Sequence, residues 1–309
     1  MIVKIEQADV CIITVNFNGE DDCNRLLESL ERVPENVSVV IVDNNSNSKK
    51  LVDLKVKFPN IELIFNGINY GFGKANNIGV AYANQHTNVK YVFILNNDTV
   101  VCTNTIKNLK NTLQENNDVS CVSPLILEED RKTIWFINGD FSIFNAGVKS
   151  YCKGEEYTGN NTKKTLSPFI TGCAMFFHID EYNAAKGFDE HYFMYFEDID
   201  LCKKLSSTNK KIFVDESAVI VHFAHSSIKA GSEFRNTLSK QNPNRLFYIK
   251  HVIYGSKYFG NKYYPHPKRL VFFVFLAMKW LKNSIKYTSL RDAKFILNSL
   301  ISNISTKER

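Results

Sequence analysis

At 309 residues, 44% hydrophobic and 23% charged, the chain has the balance of an ordinary globular protein and can bury a core without help from disulfides or structural metal. Its seven cysteines, at 11, 23, 102, 121, 152, 173 and 202, are odd in number and form no CxxC pair, which excludes a disulfide framework or a zinc site and leaves reduced thiols. The net charge of +6 is uneven: from Arg245 onward 13 Lys/Arg face 2 Asp/Glu, a net of +11 that leaves −5 on the rest, so the tail calls for an anionic partner, either membrane lipid or nucleic acid.

The opening MIVKIEQADV has no apolar stretch of signal-peptide length behind its basic residue, and this places the chain in the cytosol. Val10–Asn16 is a short β-rich apolar run, and Asp21–Arg32 carries Leu26, Leu27 and Leu30 at helical spacing. Val37–Val42 is a second buried strand, stopped by DNNSNS, and Ile61–Phe65 a third. A Gly-rich turn and a helix from about Lys74 to Ala83 follow. Tyr91–Leu95 is the fourth strand, stopped by NNDT; then come a helix over Thr105–Glu115 and a strand at Ser120–Ser123. This alternation of apolar strands and helices predicts an α/β fold with a mostly parallel sheet covered on both faces. Ligands bind such sheets beyond the carboxyl ends of the strands, and each polar cluster sits at one: Asn16–Asn18, Asp43–Ser46, Asn69–Lys74 and Asn96–Asp98. Position alone predicts one shared site.

The second half is less regular. Thr133–Thr165 is turn-rich, and Phe169–His178 reads as a strand. An aromatic stretch at Gly187–Glu197 precedes a helix over Asp198–Leu205, then short strands at Lys211–Val214 and Val219–Phe223. Beyond His225 the pattern is helical, with a break at Tyr264–Lys268. Leu270–Met278 is apolar but too short to cross a bilayer core that needs about 20 residues. Its continuation interleaves lysines and a tryptophan with apolar positions, as an interfacial amphipathic helix does. The competing reading is a helix packed on the body or on a partner subunit.

Four clusters carry chemistry. Asp43 could accept hydrogen bonds from a pyrimidine imide or a ribose hydroxyl, or simply form an Asp-Asn turn. In Asn69–Asn77, NYGFGKANN, the glycines Gly71 and Gly73 would let backbone amides approach a diphosphate, with Lys74 adding charge. A carboxylate at a strand tip, Asp98, suits Mg2+ or Mn2+ bridging two phosphates. Glu197 and Asp198, below five aromatics, would have raised pKa values fit for a general base, whereas Asp200 reads as a helix N-terminal acid facing the dipole. His222 and His225, in VHFAH, could ligate metal, donate to phosphate, or be core histidines.

Seven stretches then assemble in one order: VCIITVNFNG, VVIVDNNS, NYGFGKANN, YVFILNND, ITGCAMFFH, GFDEHYFMYFEDIDLCKKL and VHFAH. Together they resemble the inverting, GT-A-fold glycosyltransferases of family 2, and within it the bacterial rhamnosyltransferases of O-antigen and capsule assembly. The likeness spans about residues 8–226. It implies a GT-A catalytic domain over 1–226, with a nucleotide-binding half near 1–125 and an acceptor-binding half near 126–226, followed by a basic helical region at 227–309. It implies a nucleotide site drawing on Asn16, Asn18, Asp43, Asn69, Gly71, Gly73, Lys74, Asn76 and Asn97, and metal ligation by Asp98 with His222. In that metal motif, here NND, Asp98 alone is acidic. Glu197 and Asp198 match the catalytic carboxylates, one of them the base. The reaction implied is a single displacement with inversion: a sugar, rhamnose from dTDP-rhamnose or a hexose from a UDP-sugar, passes to a lipid-linked oligosaccharide. The partners implied are that donor, that acceptor and the inner face of the cytoplasmic membrane, with room for a homo-oligomer. A sugar-nucleotide-forming nucleotidyltransferase would need a basic triphosphate loop after the first strand, where NFNGEDD is acidic. A binding module is disfavoured by the acidic motifs, and a nucleic-acid partner by the net negative body.

Overall fold

The computed structural model describes residues 1–47, 50–86, 88–159, 162–207, 209–223, 244–287 and 290–301. The first half alternates as its sequence pattern predicts: β1 (Val10–Asn16), α1 (Glu20–Leu30), β2 (Val37–Asp43), α2 (Lys50–Lys57), β3 (Glu62–Phe65), α3 (Phe72–Ala83), β4 (Tyr91–Leu95), β5 (Thr99–Val101), α4 (Thr105–Glu115). Every residue of β2 and β4 is buried, as strands covered by helices on both faces must be. Helix α1 opens with Glu20, Asp21 and Asp22 against its N-terminal dipole and seats Leu26, Leu27 and Leu30 in the core. Helix α2 escaped the sequence reading because Leu51 and Leu54 are its only buried residues, too few to form a stripe.

Seven more strands follow among the described residues: β6 (Val119–Glu128), β7 (Ile134–Phe136), β8 (Asn138–Ser142), β9 (Gly147–Tyr151), β10 (Lys164–Leu166), β11 (Ala174–His178) and β12 (Lys211–His222). Helices α5 (Ile179–Ala184) and α6 (Glu197–Ser206) lie before β12, and α7 (Arg245–Tyr263), α8 (Lys268–Tyr287) and α9 (Leu290–Ile301) after it. Two expectations are corrected. Lys211–Val214 and Val219–Phe223 are one strand, whose register against β6 shifts between Asp215 and Val219; Ser217 folds back to hydrogen-bond the Asp215 carboxylate there, an irregularity that reads as a break in the sequence. And β11 begins at Ala174, so Thr171–Cys173 form a turn ahead of it.

The main sheet has ten strands in the order β10-β12-β6-β11-β4-β1-β2-β3, with β5 on β12 and β7 on β6; β8 and β9 form a separate hairpin. Strands β4, β1, β2 and β3 run parallel, as do β6 and β12. Strand β11 runs against both β4 and β6. Its N-terminal end therefore lies at the edge where the parallel strands end, which brings the 171–173 turn to the ligand side of the sheet.

The C-terminal helices share the core of the body: Phe259 of α7, Phe272, Leu276 and Trp280 of α8 and Ile296 of α9 are all buried in it. Phe141, on β8, contacts the rings of Phe196, Phe259 and Phe272. No helix among the described residues is long and apolar enough to cross a membrane.

Candidate active site

The site lies along the carboxyl edge of the sheet and is built by short links from strand to strand. At the end of β1, Asn16 donates to Asp43 Oδ1 at 2.8 Å, and its own Oδ1 accepts from the Gly19 amide at 3.0 Å and from Asn97 Nδ2 at 3.3 Å. Asp43 also accepts from the Ser46 hydroxyl at 2.5 Å and the Ser46 amide at 2.9 Å. Ser46 Oγ in turn accepts from the Asn18 amide, and Asn18 Oδ1 from the Asn47 amide. Asp43 is thus the organiser of an Asx turn, and Asn16, Asn18 and Asn97 are assembled around it. Asn44 was missed by the sequence reading. It is buried, donates to the Gly71 carbonyl at 2.9 Å and accepts from Asn66, so it ties the loop before α3 to β2.

The Gly-rich turn does something other than expected. Gly71 has φ +80° and ψ −178°, a conformation open to glycine alone. A Cβ there would stand 2.1 Å from the Phe193 carbonyl oxygen, and one on Gly73 2.9 Å from Phe188 Cβ. The Gly71 amide donates to Asn69 Oδ1, and the Phe72 amide to the Phe193 carbonyl at 3.0 Å. These glycines let the start of α3 press against the 188–193 segment, and the two amides are already used. Lys74 pairs with Glu190 at 3.1 Å and lies over the Tyr70 ring. Asn76 donates to the Phe72 carbonyl, while its Oδ1 is buried without a hydrogen-bond partner.

At the end of β4, Asp98 meets His222 from the end of β12, with Oδ1 3.2 Å from Nε2 and both side chains below 10% exposure. Beyond this contact Asp98 Oδ1 has no hydrogen-bond partner, and His222 Nδ1 is buried without one. Burial depresses the imidazolium, but Cys173 and Asp98 outweigh it and hold the His222 pKa well above its usual value. Burial also raises the Cys173 thiol. Trp135 of β7 covers His222 edge-on, with ring centroids 4.4 Å apart. Among the described residues no three His, Cys, Asp or Glu side chains converge. Two buried, under-used ligands suit a cation that takes its other oxygens from diphosphate and water. His225 lies outside the described residues.

The turn ahead of β11 joins this pair to the Glu197–Asp198 carboxylates. Cys173 accepts at its carbonyl from the Asn96 amide at 2.9 Å. Its neighbour Gly172 donates its amide to Asp198 Oδ2 at 3.1 Å, and the Ile199 amide donates to Oδ1 at 2.8 Å. Asp198 is partly exposed, whereas Glu197 is buried at 6% exposure with Oε2 unpartnered. Burial, then the Asp198 charge, lifts the Glu197 pKa well above the carboxylate range; burial lifts Asp198 too, against the two amides that lower it. Ahead of the pair, Tyr195 and Phe196 stand at φ 68° and 77°. Two consecutive non-glycine residues on that side cost roughly 1–3 kcal/mol each, a strain found where surrounding structure over-determines the backbone.

Asp200 stands in the first turn of α6, as the sequence reading has it, and is also buried against other side chains. It has no exposure, and Oδ1 accepts from the Tyr192 hydroxyl at 3.2 Å and from Lys262 Nζ at 2.7 Å. Sequence gave no sign of Lys262, 62 residues away in the basic tail.

Residues 11–182 match the glycosyl transferase family 2. Over 223 residues the chain is 26% identical to rhamnosyltransferase WbbL of Escherichia coli, covering 70% of this chain and 84% of that one. It is 24% identical over 235 residues to the N-acetylglucosaminyl-diphospho-decaprenol L-rhamnosyltransferase of Mycobacterium tuberculosis, covering 70% and 76%. Its fold superimposes on the crystal structure of GalNAc-T7 with UDP, GalNAc and Mn2+ with a TM-score of 0.61 at 14% identity, over 96% of this chain and 55% of that one. The curled, mostly parallel sheet is thus that of the GT-A glycosyltransferases, and the chain belongs to glycosyl transferase family 2.

Proposed function

We propose that the chain is an inverting rhamnosyltransferase that uses dTDP-rhamnose and extends a lipid-linked, diphosphate-borne glycan at an anionic membrane surface. The observation that carries the reading is the unbroken line of contacts from Asp98–His222 through Cys173 and Gly172 to Asp198. It sets a base beside a site for a leaving diphosphate. Rhamnose is favoured by the names of the two curated relatives, and the lipid diphosphate by the mycobacterial one.

Asp198 is the better base. Its carboxylate is reachable from solvent and aimed by two amides, whereas Glu197 is closed in. Asp198 takes the proton of an acceptor hydroxyl as that oxygen bonds to the anomeric carbon and the bond to the diphosphate breaks; without a covalent intermediate the configuration inverts. Asp98 and His222 would hold Mg2+ or Mn2+, which supplies charge stabilisation for the departing diphosphate. Asn16, Asn18, Asp43, Asn69, Asn76 and Asn97 would form the nucleoside site, with Lys74 at its rim.

The membrane part rests on α8. Phe272, Leu276 and Trp280 face inward, while Leu270, Val271, Val274, Met278 and Leu281 are 40–63% exposed on the opposite side. Both faces are apolar, and the exposed one is flanked by Lys268 and Lys282. A tail of net +11 repels a second copy of itself and attracts anionic lipid.

The test is transfer to a synthetic polyprenyl-diphosphate N-acetylglucosamine, with dTDP-rhamnose or UDP-hexoses and Mg2+ or Mn2+. The expected product carries rhamnose with the anomeric configuration opposite to the donor's, and chelator abolishes its formation. Transfer from a UDP-hexose alone replaces the donor; no transfer from any donor overturns the reading.

A further inference from the structure

The segment 189–200 carries the catalytic pair and is bent through a strained turn. Its two ends are gripped from outside the nucleotide-binding body by one side chain. Lys262, in the last turn of α7, places Nζ 2.6 Å from Asp189 Oδ2 and 2.7 Å from Asp200 Oδ1. Asp200 is fully buried, and the Lys262 side chain is 28% exposed. Two tyrosines complete the grip: Tyr192 donates to Asp200, and Tyr258, one helical turn before Lys262, donates to Asp189 at 3.2 Å. The Tyr192 and Tyr258 rings meet edge to face at 5.0 Å.

Helix α7 also presses on the turn itself. A Cβ on Gly255 would lie 2.8 Å from the Tyr195 carbonyl oxygen, so the helix backbone rides directly over the two positive-φ residues. Phe196 packs on Phe259, from the same face of α7. Burial favours the neutral forms of both charged partners, yet their hydrogen bonds hold Asp189 well below the usual carboxylate range and Lys262 above the usual lysine range.

We propose that Lys262 is a positioning residue for catalysis: by bridging Asp189 and Asp200 it fixes the turn at Tyr195–Phe196 and so aims the Glu197–Asp198 carboxylates at the acceptor. The C-terminal helices are then part of the catalytic machinery as well as the basic tail. Glu197 and Asp198 follow the turn directly, and Asp198 keeps its second anchor at Gly172 on the other side. Loosening the bridge therefore tilts the base without removing it from the protein. A misplacement of about 1 Å can cost about 100-fold in rate.

This rests on the glycosyl-transfer reading, so Asp198→Asn is run beside it. In the full-length protein, kcat and donor KM are measured together with dTDP affinity by calorimetry. Lys262→Met is expected to lower kcat about 100-fold with donor KM and dTDP affinity within about twofold of the parent. Lys262→Arg is expected to recover most of the rate. Lys257→Met, which removes a lysine of the same helix that reaches the Ser299 carbonyl on α9, stays within about twofold. Full activity in Lys262→Met with Asp198→Asn inactive overturns the positioning role alone; full activity in Asp198→Asn overturns the base assignment beneath it. Parallel losses of kcat, KM and dTDP affinity, or no recovery with arginine, reduce Lys262 to a folding contact and also overturn the proposal. If Lys262→Met does not fold, Asp189→Asn removes one arm of the bridge; about a tenfold fall in kcat is expected, and an unchanged kcat overturns the proposal.

Discussion

The loops after β1 and β2 and the segment 189–200 solve the same problem in opposite ways. Around β1 and β2 the polar side chains satisfy each other at short range: Asn16, Asp43, Ser46 and Asn97 form a hydrogen-bonded set, and the positive-φ positions in their loops, Asn18 and Asn45, are asparagines, which take that conformation at little cost. In the 189–200 segment positive φ falls instead on the aromatic Tyr195 and Phe196, Glu197 Oε2 is buried without a partner, and the supports come from α3, the turn ahead of β11 and α7. A binding surface can be assembled locally and rigidly. A base must be kept partly desolvated, and the cost of that is carried by distant elements.

The sharpest way to test the contrast is Asp198→Asn. Transfer should fall about 10³-fold, while dTDP affinity, governed by the other half, stays unchanged in calorimetry; a matching loss of affinity would show that the two regions are not separable. Next in size, Val274→Asp with Met278→Asp on the exposed face of α8 should weaken binding to vesicles containing anionic phospholipid by about 30-fold in flotation. It should leave hydrolysis or transfer with a water-soluble acceptor intact. Unaltered flotation would assign that face to something other than lipid.

The smallest effect concerns stability. The folded-state pKa of Glu197 is raised, so the native protein binds more protons than the unfolded chain above the ordinary carboxylate value near 4.5. Stability from this group is complete below that value and is lost as pH climbs toward the raised folded pKa. Glu197→Gln removes the penalty. It should match the parent near pH 4.5 and exceed it by about 1–2 kcal/mol at pH 8 in urea unfolding. A constant difference across pH would mean that Glu197 ionises as freely folded as unfolded.

The same contrast explains what could be read from the chain beforehand. Strand–helix alternation is a local signal, so β1 to α4, apart from the short α2 and β5, and the clusters at Asn16, Asp43 and Asp98 were legible from spacing alone. The acidic Glu197-Asp198 pair was legible too, because two carboxylates among aromatics are unusual in any context. The reversed direction of β11 was not, since an apolar run carries no sign of polarity. Nor was the purpose of Gly71 and Gly73, whose partners, the Phe193 backbone and the Phe188 side chain, lie far downstream. The Lys262–Asp200 pair was not legible, because each acquires its meaning from the other across a distance no periodicity encodes.

The turn ahead of β11 imposes a fixed measure on the chemistry. Gly172 holds the base and Cys173 abuts the Asp98–His222 pair, and adjacent residues across a trans peptide are about 3.8 Å apart at their α-carbons. On the proposed reading, the side chain that takes the proton and the pair that would face the leaving group thus touch adjacent residues of one turn, like two jaws on one bar. Side-chain changes elsewhere can reshape what enters between the jaws, but a tilt of β11 carries both of them together. Specificity can therefore drift while the gauge of the reaction stays the same.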